Sequence, residues 1–144
     1  MSQMVDLVIF GGTGDLSTRK LLPALFQLHR HGLADRLHRI IATGRAGMDS
    51  DAFREEAQEN LHRFLPEGGW NDAVWATFRE RLFYCQVDAD VADHYRGLAA
   101  LLDEGEAPVR LYYLATLPSL YGTICQHLRD AGVVNDQSRV CLLY

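Results

Sequence analysis

Short, continuously apolar runs alternate along this chain with longer stretches in which apolar positions recur every three or four residues. "MVDLVIF" (4–10), "RIIATG" (39–44), "LFYCQV" (82–87), "VRLYYLA" (109–115) and "RVCLLY" (139–144) have the length and composition of strands. The stretches between them predict helices. Residues 15–31 place Leu21, Leu25 and Leu28 on one face. Residues 49–65 open with capping side chains and carry Phe53, Ala57, Leu61 and Phe64 at helical spacing. A helix over 71–81 follows the break "PEGG" (66–69), one over 90–104 is stopped by Gly105, and one over 118–131 ends at Gly132. Pro23 falls inside the first helix, where its missing N–H predicts a kink or a restart. Apolar strands separated by amphipathic helices imply an α/β protein: a doubly wound parallel sheet of about five strands, with helices on both faces. Right-handed crossovers fit the connection lengths, and the expected strand order is 3-2-1-4-5.

Length and charge narrow the picture. At 144 residues the chain has the size of one domain. It carries 14 Lys and Arg against 19 Asp and Glu, with no basic stripe, which argues against nucleic acid as a partner. Cys85, Cys125 and Cys141 lack metal-ligand spacing and lie in or beside apolar segments, so buried, reduced thiols are expected. No signal-peptide pattern is present, and no apolar run approaches the ~18 residues of a membrane span. A cytoplasmic setting without membrane contact is the expectation.

The most informative segment joins the first strand to the first helix, where Gly11, Gly12 and Gly14 cluster. In doubly wound sheets, ligands sit outside the carboxyl ends of the strands. Backbone without Cβ atoms turns tightly and admits a phosphate, which the amides of the following helix then hold. The spacing matches neither the P-loop GxxxxGK[ST] nor GxGxxG. It runs Gly11-x-x-Gly14-x-x-Ser17, with the small Ser17 able to take the packing role of a third glycine. A ligand-free tight turn is the competing reading. The second strand ends "ATGRAG", with Arg45 where an NAD-preferring site places an acid. A guanidinium there can pair with a 2′-phosphate, which points to NADP, although an arginine after a strand also suits a solvated surface. His29, His31, His38 and His62 lack a partner acid at catalytic spacing and read as solvated. The acids over 49–59 read as a helix start and its wet face. Of Tyr112 and Tyr113, at least one is expected in the core.

The segments "DLVIFGGTGDLSTRKLLPALFQLHRHGL", "RIIATGRA", "LFYCQVD", "YYLATLPSLYGTIC" and "SRVCLLY" together resemble the N-terminal coenzyme domain of glucose-6-phosphate dehydrogenase, particularly bacterial members. The GGTGDL loop with its following RKLLPAL is the specific part. The resemblance implies a Rossmann sheet and oxidation of glucose 6-phosphate to 6-phosphogluconolactone with NADP⁺ as acceptor, the first step of the pentose phosphate pathway. It also implies that Gly11, Gly12, Thr13, Gly14, Asp15, Leu16 and Ser17 approach the coenzyme phosphates, and that Arg45 faces the adenosine 2′-phosphate. Asp88 and Tyr121 match positions that line the coenzyme cleft. No catalytic residue and no metal ligand match. The family has two prolines after its fourth strand, where this chain has Leu117-Pro118. It continues the fifth strand into Glu-Lys-Pro, beyond Tyr144.

The expectation is therefore one NADP-binding domain over 1–144, without the family's substrate domain. Alone it should be inactive, and it should self-associate through an uncovered sheet. Glucose 6-phosphate is expected as a partner only of the full-length family. The alternatives are a stand-alone NADP-binding or sensor module, or another NADP-dependent oxidoreductase or epimerase. The chain has no Tyr-x-x-x-Lys pair to support the last.

Overall fold

The apolar runs form five parallel strands: β1 (Val5–Phe10), β2 (Leu37–Gly44), β3 (Leu82–Gln86), β4 (Val109–Leu114) and β5 (Arg139–Leu142). They pair in the order β3-β2-β1-β4-β5, as the sequence pattern predicts. A computed structural model describes residues 3–105 and 107–142. The last part of the predicted fifth strand, Leu143 and Tyr144, lies outside the described residues, as does the Cys141 side chain.

β1 is central, with Val8 in register with Ile41 of β2 and Tyr112 of β4. Its alternate side chains go to opposite layers, which is why the run reads as continuously apolar. Leu7 and Ile9 join Ile40, Ala42 and Leu82 beneath α1 (Leu22–Arg30), α2 (Ser50–Phe64) and α3 (Asp72–Phe78). Val8 and Phe10 join Ile41, Tyr112 and Leu114 beneath α4 (Ala92–Glu104) and α5 (Tyr121–Asp130). Tyr112 is fully buried, and its hydroxyl donates to the Val133 carbonyl at 2.6 Å.

Pro23 leaves its mark where the sequence places it. The helical segment beginning at Asp15 widens into a π turn over Ser17–Leu21, closed by the Leu22 N–H on the Ser17 carbonyl. Pro23 then occupies the first turn of α1, where a missing N–H is tolerated. The buried face of α1 is Leu22, Leu25 and Phe26, continued by a half-buried His29. Leu28, expected on that face, is 42% exposed because the stripe runs through Phe26 and His29 instead. Other ends follow side-chain capping: Asp49 accepts from the Ala52 N–H before α2, and Asn71 from the Val74 N–H before α3.

Three further expectations need correction. Cys125 is exposed on α5, whose buried residues are Ile124 and Leu128. Cys85 is only half-buried, and its burial pushes the thiol pKa up. His29 is not simply solvated: its Nε2 lies 2.8 Å from the Thr77 hydroxyl and its ring packs on Phe78. His62, though exposed, lays its ring on Trp70 with centroids 3.8 Å apart.

One polar cluster inside the fold escaped the sequence reading. Asp6 of β1 is fully buried and receives both Nε (3.1 Å) and Nη2 (2.7 Å) of Arg39 on β2. Arg39 Nη1 also donates to the Leu101 carbonyl at 2.9 Å, near the end of α4. A charge in the interior thereby finds a bidentate partner and caps a helix terminus.

Candidate functional site

The carboxyl ends of β1, β2, β3 and β4 open on one cleft of about 420 Å³, within the range of small-molecule sites. Its walls come from Gly11, Thr13 and Gly14 after β1, from Thr43, Gly44 and Arg45 at β2, from 87–90 after β3, and from Thr116 and Leu117 after β4. Leu120 and Ile124 close the far side.

The three glycines are there for different reasons. Gly11 has φ +79°, and a Cβ on it would stand 2.7 Å from the Ala115 carbonyl oxygen beyond β4. Gly12 is buried against β2, where a Cβ would meet that of Ala42 at 2.6 Å. Gly14 is exposed, has no positive φ, and a Cβ there meets only the Gly11 carbonyl oxygen, at 3.1 Å. Turning and packing thus account for Gly11 and Gly12, while Gly14 keeps the cleft wall open.

Behind the loop, Thr18 N–H donates to the Gly14 carbonyl at 3.0 Å and starts the helical ladder. The amides of Asp15, Leu16 and Ser17 belong to the first turn, the part of a helix that receives an anion. Their side chains do not line the cleft. Ser17 is buried and its hydroxyl donates to the Gly11 carbonyl at 2.8 Å, which braces the loop from behind. Asp15 faces solvent and pairs with Arg19 at 2.6 Å.

Arg45 is exposed on the cleft wall, and among the described residues no acid lies within ion-pair distance of it. Its backbone is firmly placed. Val87 N–H donates to the Gly44 carbonyl at 2.8 Å, the Gln86 amide to the Arg45 carbonyl at 2.9 Å, and the Tyr84 hydroxyl to the Ala46 carbonyl at 2.7 Å. Burial, assisted by nearby Cys85 and Glu56, pushes the Tyr84 phenol pKa up and keeps it a donor.

Asp88 is half-buried on the β3 side of the cleft. Its carboxylate accepts from the Asp90 N–H at 3.2 Å, and its own N–H donates to His94 Nδ1 at 2.9 Å. Tyr95 holds the next residue, its hydroxyl donating to the Ala89 carbonyl at 3.0 Å. Burial drives the Tyr95 pKa upward, with Asp90 and Asp88 adding to it. Tyr121 opens α5 half-buried, and the cleft wall from this segment is made by Leu120 and Ile124.

Of the residues singled out in the sequence, the fold gathers Gly11, Thr13, Gly14, Arg45 and Asp88 on the cleft surface. It sets Gly12, Asp15, Leu16, Ser17 and Tyr121 behind or beside it. Sequence reasoning missed Tyr84, Gln86 and His94, whose signal was only their place at the end of β3 or in the next turn. Leu117, noted in the sequence as a departure from the family's two prolines, is 70% exposed and lines the cleft.

A glycine loop at the end of the central strand, a helix start behind it and a cation at the end of the neighbouring strand define a dinucleotide-binding domain of the doubly wound class. The family model for glucose-6-phosphate dehydrogenase, NAD binding domain, matches residues 8–142. The chain belongs to that family.

Glucose-6-phosphate 1-dehydrogenase of Dickeya dadantii is 39% identical over 141 residues, covering 98% of this chain. The crystal structure of glucose-6-phosphate 1-dehydrogenase from Mycobacterium avium superposes with a TM-score of 0.82 at 28% identity, over 97% of this chain and 29% of that one. A glucose-6-phosphate dehydrogenase in complex with its substrate glucose-6-phosphate superposes with a TM-score of 0.80 at 27% identity, over 100% of this chain and 31% of that one. The chain spans about 28% of the length of the curated relatives that it matches.

Proposed function

We propose that this chain is the NADP-binding part of a cytoplasmic enzyme that oxidises glucose 6-phosphate to 6-phosphogluconolactone. The observation that carries the coenzyme choice is Arg45, a cation on the cleft wall at the end of β2 with no acid in ion-pair distance among the described residues. An acid at that point would bond the ribose hydroxyls of NAD; a guanidinium suits a 2′-phosphate. The sugar phosphate comes from the family and from the substrate complex of a structural neighbour.

The bound nicotinamide supplies the hydride acceptor. The chain's own residues bind and orient it: first-turn amides over Asp15–Ser17 and the open backbone at Gly14 take the pyrophosphate, and Arg45 takes the 2′-phosphate. Asp88 and the start of α5, with Tyr121, frame the rest of the cleft. Abstraction of the sugar hydroxyl proton needs a positioned base. Among the described residues no histidine lines the cleft, so the part played here is coenzyme binding.

Calorimetric titration with NADP⁺ and NAD⁺ tests the reading. NADP⁺ is expected to bind more tightly, and Arg45→Ala to cost roughly 1.5–3 kcal/mol for NADP⁺ and little for NAD⁺. Equal losses for both coenzymes would remove the 2′-phosphate assignment. With glucose 6-phosphate and NADP⁺ added, the chain alone is expected to form no NADPH above background. The reading extends to self-association: β5 is a sheet edge carrying Val140 at 43% exposure. Light scattering showing a monomer at every concentration would contradict that extension.

A further inference from the structure

The segment that presents Arg45 is anchored in an unusual way. Three successive carbonyls, those of Gly44, Arg45 and Ala46, each accept a hydrogen bond from β3 or the residue just after it. The first bond, from Val87 N–H, continues the sheet and is available to any sequence. The other two are made by side chains, the Gln86 amide at 2.9 Å and the Tyr84 hydroxyl at 2.7 Å. Gly44 lies opposite Gln86 in the β2–β3 register, so both side chains reach across a strand pair that is already fixed.

The two anchors differ in setting. Tyr84 is 6% exposed, packs its ring against Phe53, and donates its own N–H to the Ser50 hydroxyl oxygen at 3.0 Å. Gln86 is exposed, and its amide group lies within 4 Å of the position of a Cβ on Gly47. Between them the backbone is held on the β3 side while the Arg45 side chain stands on the cleft wall. An arginine side chain has many rotamers to lose on ordering. Fixing the backbone beneath it restricts where the guanidinium can go, and less freedom remains to be lost when it meets an anion.

We propose that Tyr84 and Gln86 are positioning residues that hold Arg45 at the cleft rim and so set the discrimination between a 2′-phosphorylated and a plain adenosine ribose. They touch no coenzyme atom themselves and act through Arg45. The inference rests on the 2′-phosphate reading of Arg45 given above.

The test is a double-mutant cycle on the full chain, with NADP⁺ and NAD⁺ affinities measured by calorimetry and thermal unfolding measured alongside. Gln86→Ala and Tyr84→Phe are each expected to weaken NADP⁺ about fivefold, the scale of one lost neutral hydrogen bond, and to leave NAD⁺ unchanged. In an Arg45→Ala background the same substitutions should have no further effect on NADP⁺. Gln86→Met, which loses the donor at similar length and adds no charge, should behave as Gln86→Ala. Gln86 is exposed, so its variants remain informative even if Tyr84→Phe lowers stability. Equal weakening of both coenzymes, or undiminished effects in the Arg45→Ala background, would overturn the inference. If Arg45→Ala itself leaves NADP⁺ affinity unchanged, the 2′-phosphate reading falls and this inference with it. If Arg45→Ala weakens NADP⁺ while the Tyr84 and Gln86 variants do not, only this inference falls.

Discussion

Gly12 and Gly14 stand two residues apart, and their substitutions should fail in different ways. A Cβ on Gly12 would overlap Ala42, with 2.6 Å to its Cβ and 2.9 Å to its Cα, both on a rigid strand. Gly12→Ala should therefore destabilise the fold by about 1–3 kcal/mol, the usual scale of overpacking, as read by thermal or denaturant unfolding. Gly14→Val, whose Cβ would stand 3.1 Å from the Gly11 carbonyl oxygen, should leave the chain folded with a smaller loss of stability than Gly12→Ala and weaken coenzyme binding more than about tenfold, the scale of one charge-assisted contact. Loss of stability without a coenzyme effect at Gly14 would support a plain turn. The cluster was legible in the sequence, but this division of labour was not. It depends on Ala42 and Ala115, which the sheet brings in from other strands. The same holds for His29, read as solvated until α3 sets Phe78 and Thr77 against it. Burial first, then the Arg81 charge, lowers its pKa from 6.5, against an opposing pull from Asp35. The unfolded chain therefore takes up that proton first, and stability rises with pH across the interval between the two values. The contribution is complete above about 6.5 and is lost as pH falls through the lower folded value. An NMR titration should place the His29 midpoint below 6.5, and His29→Gln should shrink the loss of thermal stability on acidification. A midpoint above 6.5 would contradict this.

Elements were legible wherever periodicity alone decides them. Strand and helix positions follow from runs that are apolar throughout and from stripes of period 3.6, and the strand order follows from the doubly wound class that they imply. Details created by contacts between elements were not legible. Pro23 predicted an irregularity, but its form, a π turn over Ser17–Leu21, depends on how the helix start packs against α2. Asp6 and Arg39 are single charges in runs that are otherwise mostly apolar, with nothing in the sequence to pair them. Only the assembled sheet, with α4 delivering the Leu101 carbonyl, makes them a buried, fully engaged pair. Breaking such a pair leaves a charge in the interior. Asp6→Ala is expected to cost about 3–5 kcal/mol in denaturant unfolding, far more than Asp93→Ala in the exposed pair with Arg96. A loss at Asp6 no greater than at Asp93 would show that water reaches Arg39.

At the scale of the whole molecule, function follows from a sheet whose carboxyl ends converge. Four strands each end in a segment that lines one cleft, and three of these segments are braced from outside it: Ser17 behind the glycine loop, Tyr84 and Gln86 behind Arg45, His94 and Tyr95 behind Asp88 and Ala89. The front of the site was legible because its residue types are demanded by chemistry, glycine for approach and arginine for charge. The braces were not, because any donor or acceptor of suitable reach can serve and only the register fixes which one does. The central claim is that this cleft holds the dinucleotide with its 2′-phosphate at Arg45. The most direct measurement is an amide-resolved NMR titration of the chain with NADP⁺ and, separately, NAD⁺. Both coenzymes should shift the amides over 11–18, 87–90 and 115–117, and NADP⁺ alone should strongly shift those over 44–47. Shifts confined to surfaces away from these strand ends, or identical shifts at 44–47 with both coenzymes, would contradict it.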